Sequence, residues 1–449
     1  MNNNPKITIK AKQKINFIKS DIKLTIGILV SNHIKYIRKG MEAIKPLLDA
    51  VPSELIVVDT VGEENSDGSL AVVKEYTDKI YHFDWINDFS AARNVAIDYA
   101  RGEWFMYFDD DEYFDDVTEF IEFFNSDECN KYNVGFYFTG DYITPTTFKK
   151  SIAGRMVRRT PETRFEGRIH EGFVNAFLPI KQFNVFTHHF GYLYENEDQR
   201  KAKTKRNLTL LEQELKEKGY GIRVCAQIVQ EIMIFDQEEG SKRCTEYLEI
   251  LDKLGESEDS GYQWLLVSRI RFMANWRSLE GILGLEKMTL EKYKLSQMAR
   301  LAIAQLVAAV AYFYDKYDIV ADRVKTYLEM YDWLMSHDAD RAIQSNLDFP
   351  SFMYDEVLYG TILMGAESEK RLKNYDVAYS YIKRLDFDYC NDFEDLKGLV
   401  RSIIRGMDDP APTIDWYKRF YRDELFNDEN YHKYLPADVR ERFADAEKK

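Results

Sequence analysis

The sequence predicts an α/β domain with a Rossmann-like, mostly parallel sheet, followed by an all-helical, repeat-like domain. Three observations predict it. Short apolar runs that read as buried strands alternate with helical segments at the start of the chain. One of these runs, Trp104 to Phe108, leads straight into Asp109-Asp110-Asp111-Glu112. From about Lys201 the strand pattern vanishes, and apolar residues recur at i, i+3, i+4.

The elements follow in order. Leu24 to Val30 reads as a buried strand, and Ile34 to Leu48 has helical spacing that Pro46 is expected to shorten. Leu55 to Val58 is a second buried strand ending at Asp59. Leu70 to Tyr76 is helical, and Lys79 to Phe83 is a third strand. Ser90, a good N-cap residue, is expected to open a helix that runs to Tyr99 or Ala100 and stops near Gly102. Trp104 to Phe108 is the fourth strand. Shorter strands with turns between them are expected over Gly135 to Ile143, Arg155 to Arg159, Arg164 to Ile169 and Phe183 to Thr187.

The second half is expected to be helical over Leu208 to Leu215, Cys244 to Leu254, Leu265 to Phe272, Leu301 to Tyr314 and Leu396 to Ile404. Tyr375 to Leu385 resembles the second helix of a tetratricopeptide unit, with Ala378 as the small packing residue, but no clean 34-residue period is visible. The boundary falls in the polar stretch Tyr194 to Ala202. The expected division is an extension over 1–20, the α/β domain over 21–198 and the helical domain over 199–449.

Composition sets the class. The 449 residues carry a formal net charge of −15 at 45% hydrophobic content, which describes a folded protein and argues against a nucleic-acid partner. No apolar run is long enough to span a bilayer, and the Lys-rich start lacks a signal-peptide core. Cys129, Cys225, Cys244 and Cys390 are scattered, with no paired spacing, so a cytoplasmic location is expected.

Several short stretches carry chemistry. Asp109 and Asp111 lie two apart just past a strand, where alternation turns both carboxylates the same way and Asp110 elsewhere. Adjacent carboxylates repel one another, and a divalent cation with a diphosphate on its far side would relieve this; the plain alternative is a solvated acidic turn. Asp59 at a strand end can accept a hydrogen bond from a base or ribose. In Trp85 to Asn94, Arg93 and Asn94 are expected near a helix start that can hold a phosphate, and Trp85 and Phe89 can wall a base. His170-Glu171 and His189 complete the set: His189 as a third metal ligand, Glu171 as general base.

Taken together, Val57-Val58-Asp59-Thr60, Asn87 to Asn94 and Tyr107 to Glu112 resemble family 2 glycosyltransferases of the GT-A fold, from Leu24 to about Tyr192. His170-Glu171 and Gly191-Tyr192 are similar to a subgroup with a C-terminal tetratricopeptide-like domain, which includes the sublancin-type peptide S-glycosyltransferases that modify bacteriocins. The resemblance implies a UDP-sugar donor, a manganese or magnesium ion, and transfer with inversion to a peptide or protein acceptor through the helical domain. A homodimer is compatible with it. It implies that Asp59 and Asp88 contact uridine, that Arg93 lies near the diphosphate, that Asp109 and Asp111 hold metal and donor, and that His189 completes the metal shell. The chain departs from the family pattern in three places. The loop after Asp59 is long, Asn32-His33 stands where asparagine-glutamate is usual, and the middle of the acidic motif is itself an aspartate.

Other readings compete. A nucleotidyltransferase would carry a glycine-rich loop after the first strand, and Val30 to Lys35 has no glycine. A glycan or surface-polysaccharide transferase fits the same motifs. So does a non-catalytic scaffold on an inactive domain, although a cluster of repelling acids has no evident use there.

Overall fold

The computed structural model describes residues 15–409, apart from 195, 256–258, 346, 348 and 387–393, together with 413, 437 and 441. Most of the expected 1–20 extension and Cys390 lie outside the described residues. The chain divides into two compact units, 1–256 with 339–348, and 257–338 with 349–449.

The first unit opens with β1 (Leu24–Val30), α1 (Ile34–Ala50) and β2 (Ser53–Asp59). It continues with α2 (Ser69–Val73), β3 (Ile80–His82), α3 (Phe89–Tyr99) and β4 (Trp104–Asp109). All but one residue of β1 is buried, as expected for a strand covered on both faces. Pro46 does not end α1, which runs on to Ala50. Then follow β5 (Glu112–Phe114), α4 (Thr118–Phe124), β6 (Val134–Tyr142), β7 (Phe148–Arg158), β8 (Arg164–Glu166), β9 (Gly172–Val174) and β10 (Ile180–His189). Eight of these strands form one mixed sheet in the order β3-β2-β1-β4-β7-β6-β10-β5. β1 pairs in parallel with both β2 and β4, and β7 is antiparallel to β4 and β6. One face buries Leu24, Ile26, Ile28 and Val30 with Ile37, Met41 and Phe120 of α1 and α4. The other buries Ile56, Val58, Phe105 and Tyr107 with Ala96 and Ile97 of α3.

The chain leaves β1 in one direction toward β2 and returns to its other side at β4. That reversal point, outside the carboxyl ends of the strands, is where ligands collect in open α/β sheets. The change to helix falls between His189 and Glu197, with α5 (Glu197–Lys218), α6 (Ile222–Ile232) and α7 (Gln237–Asp252) in the same unit.

The second unit contains the helix pairs α8 (Ser260–Asn275) with α9 (Leu279–Lys292), and α10 (Gln297–Phe313) with α11 (Tyr317–Met335). After α12 (Asp338–Gln344), which straddles the division, come α13 (Asp355–Arg371), α14 (Tyr375–Ile382) and α15 (Glu394–Gly406). The α8–α9, α10–α11 and α13–α14 turns each contain one left-handed residue, Arg277, Asp315 and Lys373 respectively. Ala378 is fully buried, consistent with close helix packing.

Candidate functional site

A cavity of about 560 Å³ lies at the reversal point, lined by residues from the ends of β1, β2 and β4, from β6, β7 and β10, and from α3 and α5. The three acids that follow β4 part company there. Asp110 turns back to β1, accepting from the Ser31 N–H at 2.6 Å and hydroxyl at 3.1 Å and facing His33 Nδ1 at 2.7 Å. That bond to Asp110 raises the His33 pKa to about 9. Asp109 is gripped by two buried guanidiniums, Arg93 Nη2 at 2.6 Å and Arg155 Nη1 at 3.1 Å. Burial alone would raise Asp109, but Arg93 and then Arg155 outweigh it and hold the carboxyl well below its usual range.

Asp111 faces His189, with Nε2 3.7 Å from Oδ1. The other ring nitrogen of His189 pairs with Asp141 Oδ1 at 2.7 Å. This carboxylate–histidine arrangement fixes the ring and aims Nε2 at Asp111. Burial works against charge on His189, yet Asp111 and the bond to Asp141 raise its pKa to about 9. Gly191 borders the pair: a Cβ there would stand 2.6 Å from His189 Nε2 and 2.7 Å from Asp111 Oδ2. Among the described residues no three His, Cys, Asp or Glu side chains cluster as a self-sufficient metal site. Asp111 and His189 nevertheless fit a divalent cation that takes its remaining ligands from water and a substrate diphosphate, the usual habit of such ions.

Arg93 also joins the two halves of the site. Its Nε donates to Glu171 Oε1 at 2.5 Å while Nη2 holds Asp109. It lies over the Tyr107 ring, 4.4 Å from the centroid. Glu171 lines the cavity and is 3% exposed. The preceding His170 has a φ of 51° and pairs through Nε2 with Glu231 of α6 at 2.9 Å. Arg155 pairs with Glu112 as well, at 2.7 Å, and burial still pushes the Glu112 pKa up to about 7.

The remaining expected residues divide. Trp85 is 38% exposed, lines the cavity and meets Phe89 edge-on. Asp59 ends β2 and accepts from the Val61 and Gly62 N–H groups while facing His82 at 2.9 Å; its neighbours Thr60 and Val61 line the cavity. The expected Ser90 cap is corrected: Asp88 caps α3, accepting from Ala91 N–H at 2.9 Å, and the Ser90 hydroxyl donates to Asp88. Either side chain is chemically able to cap, and the one whose backbone is extended takes the role. This start places Arg93 beyond the first turn. Asn94 is turned away from the cavity and clamps Phe165, donating to its carbonyl at 3.0 Å and accepting from its N–H at 2.9 Å.

Sequence reasoning missed Asp141, Arg155, Lys203, Arg206 and Asn207, all in the lining. Alternation along β6 is a signal that could have found Asp141: Thr139 and Asp141 share one side of the strand. The α5 residues had no local signal, because they reach the cavity only through tertiary packing.

Residues 25–188 match the family model described as Glycosyl transferase family 2. The chain is 31% identical over 206 residues to the SPbeta prophage-derived glycosyltransferase SunS of Bacillus subtilis, covering 43% of this chain and 45% of that one. It is 29% identical over 161 residues to a TPR repeat-containing protein of Synechococcus elongatus, covering 35% and 37%. The chain thus spans less than half the length of these curated relatives. Among solved structures, S. aureus TarS aligns at 13% identity and a TM-score of 0.31 over 59% of this chain and 55% of that one. TarS 1–349 in complex with UDP-GlcNAc aligns at 13% and 0.28 over 65% and 92%. With the matched family model and the mixed sheet, the expected architecture is present: an α/β domain followed by a helical region.

Proposed function

We propose that the chain, whose residues 25–188 match the Glycosyl transferase family 2 model, is an inverting, metal-dependent glycosyltransferase moving a sugar from a UDP-sugar to a peptide or protein acceptor. One observation carries the reading. The Asp111–His189–Asp141 array and the Asp109–Arg93–Glu171 array meet in a single cavity at the reversal point of the sheet. The donor chemistry and the acceptor class rest on the resemblance of the motifs and on the helical region that follows them.

Asp111 and His189 Nε2 would hold a manganese or magnesium ion, which supplies positive charge to the departing diphosphate. Asp141 keeps the His189 ring aimed, so no reorganisation is needed at the moment of reaction. Arg93 and Arg155 fix Asp109 as a carboxylate, an acceptor for donor hydroxyls. Glu171 takes the proton of the attacking acceptor atom as its bond to the anomeric carbon forms and the bond to the diphosphate breaks. Arg93 holds Glu171 in place for this step.

The test is release of UDP from a panel of UDP-sugars, with and without manganese, by the wild type and by Asp111→Ala. Manganese-dependent release that the substitution abolishes is expected. No release together with no UDP binding by calorimetry would overturn the proposal.

A further inference from the structure

Five carboxylates line the cavity: Asp109, Asp110, Asp111, Asp141 and Glu171. Most of the cations there are committed. Arg93 and Arg155 serve Asp109, Glu171 and Glu112; His33, His170 and His189 serve Asp110, Glu231 and Asp141. Lys203 and Arg206 differ. Both line the cavity, and neither forms an ion pair among the described residues.

They lie three residues apart on α5, one helical turn, and so share a face. Lys203 Nζ donates to the Gly191 carbonyl at 2.7 Å and lies over the Tyr192 ring at 4.1 Å. Gly191 is the residue that borders Asp111 and His189, so the ammonium stands beside the place where those two side chains converge. Arg206 lies over the ring of Phe89, the first residue of α3, 5.7 Å from its centroid, and donates to its neighbour Asn207 at 3.1 Å.

Resting on the UDP-sugar reading above, we propose that Lys203 and Arg206 grip the donor diphosphate, so that the helix after the sheet forms one wall of the donor site. Two cations one turn apart match two adjacent phosphates, and Lys203 stands beside Asp111 and His189, which would hold the metal. Burial lowers the pKa of both groups, a cost that a bound dianion offsets. The same pair stabilises the leaving group as the sugar departs, when charge on the diphosphate grows.

The experiment compares binding of UDP and of uridine, both with manganese, by calorimetry on the full chain. The variants are Lys203→Met, Arg206→Met and the conservative Lys203→Arg. Met keeps the apolar stem and removes the charge. Each Met variant is expected to weaken UDP binding by about tenfold or more, the usual effect of losing a charged hydrogen bond. Uridine affinity is expected to stay within about twofold, which also reports an intact fold, and Lys203→Arg to retain most UDP affinity. UDP binding by the wild type that both Met variants retain would overturn this assignment alone. Absence of UDP binding by the wild type would overturn the donor reading, and this assignment with it.

Discussion

His189 Nε2 and Asp111 Oδ1 stand 3.7 Å apart, and the neighbour that leaves room beside them is Gly191, whose missing Cβ would lie within 2.7 Å of both side chains. Gly191→Ala is therefore expected to push His189 and Asp111 out of register without touching the sheet. Manganese should raise the melting temperature of the wild type and not of the variant, since only a state that binds the ion gains from it. An equal manganese-induced shift in both proteins would refute the role given to this glycine.

Arg93 carries two carboxylates, the partly exposed Asp109 and the buried Glu171, on one guanidinium. Removing it leaves the buried Glu171 without its counter-ion and Asp109 with Arg155 alone. Arg93→Ala is expected to destabilise the first unit by about 3–5 kcal/mol, the usual result of orphaning a buried charge. Arg93→Lys should recover part of this, because one ammonium cannot reach both acids with the same geometry. Denaturant midpoints of the three proteins give the ordering wild type, Lys, Ala; a Lys variant as stable as the wild type would argue against the two-handed role.

Glu171→Gln keeps the shape and one acceptor oxygen but removes the base. Turnover is expected to fall by about 10²–10⁴-fold, with UDP binding within about twofold of wild type. A matching loss of UDP affinity would mean that Glu171 shapes the donor site through Arg93 rather than taking the acceptor proton. With a thiol acceptor the loss should shrink as pH rises, because the nucleophile then ionises without help.

What the sequence made legible follows from how local each signal is. The strand running into Asp109, Asp110 and Asp111 announces a site in one stretch of chain. So does His170-Glu171, because both sit in contiguous segments whose neighbours set their direction. Asp110 turning away from Asp111 was readable from alternation alone. Asn94 shows the opposite. It sits in a motif-rich segment, yet its amide is spent on the Phe165 backbone, a partner 71 residues away that no local pattern reveals. Arg155 was read only as part of a strand, and its pairing with Asp109 and Glu112 depends on the β4–β7 register. Lys203 and Arg206 look like solvated residues on a charged helix. Only the folding of α5 onto the sheet gives them a cavity to face.

Glu54 supplies a prediction independent of the site. It sits in β2, is 5% exposed, and gathers Thr25 at 2.7 Å, Lys79 at 2.6 Å and the Arg101 backbone at 2.6 Å. Burial alone would raise its pKa, but Lys79, Thr25 and Arg101 together lower it from 4.5 to about 2. A carboxylate depressed on folding contributes stability that is fully present above its unfolded pKa and is lost as pH falls through the folded one. The contribution, about 3 kcal/mol at neutral pH from the size of the shift, should therefore fade between roughly pH 5 and pH 2. Glu54→Gln cannot titrate. It is expected to be less stable than the wild type at pH 7, with the gap closing as the pH is lowered through that window. Urea denaturation at pH 7, 5 and 3.5 measures the gap directly. A difference that stays constant across the three would show that the loss at pH 7 comes from packing of the amide rather than from the charge that Lys79 and Arg101 hold.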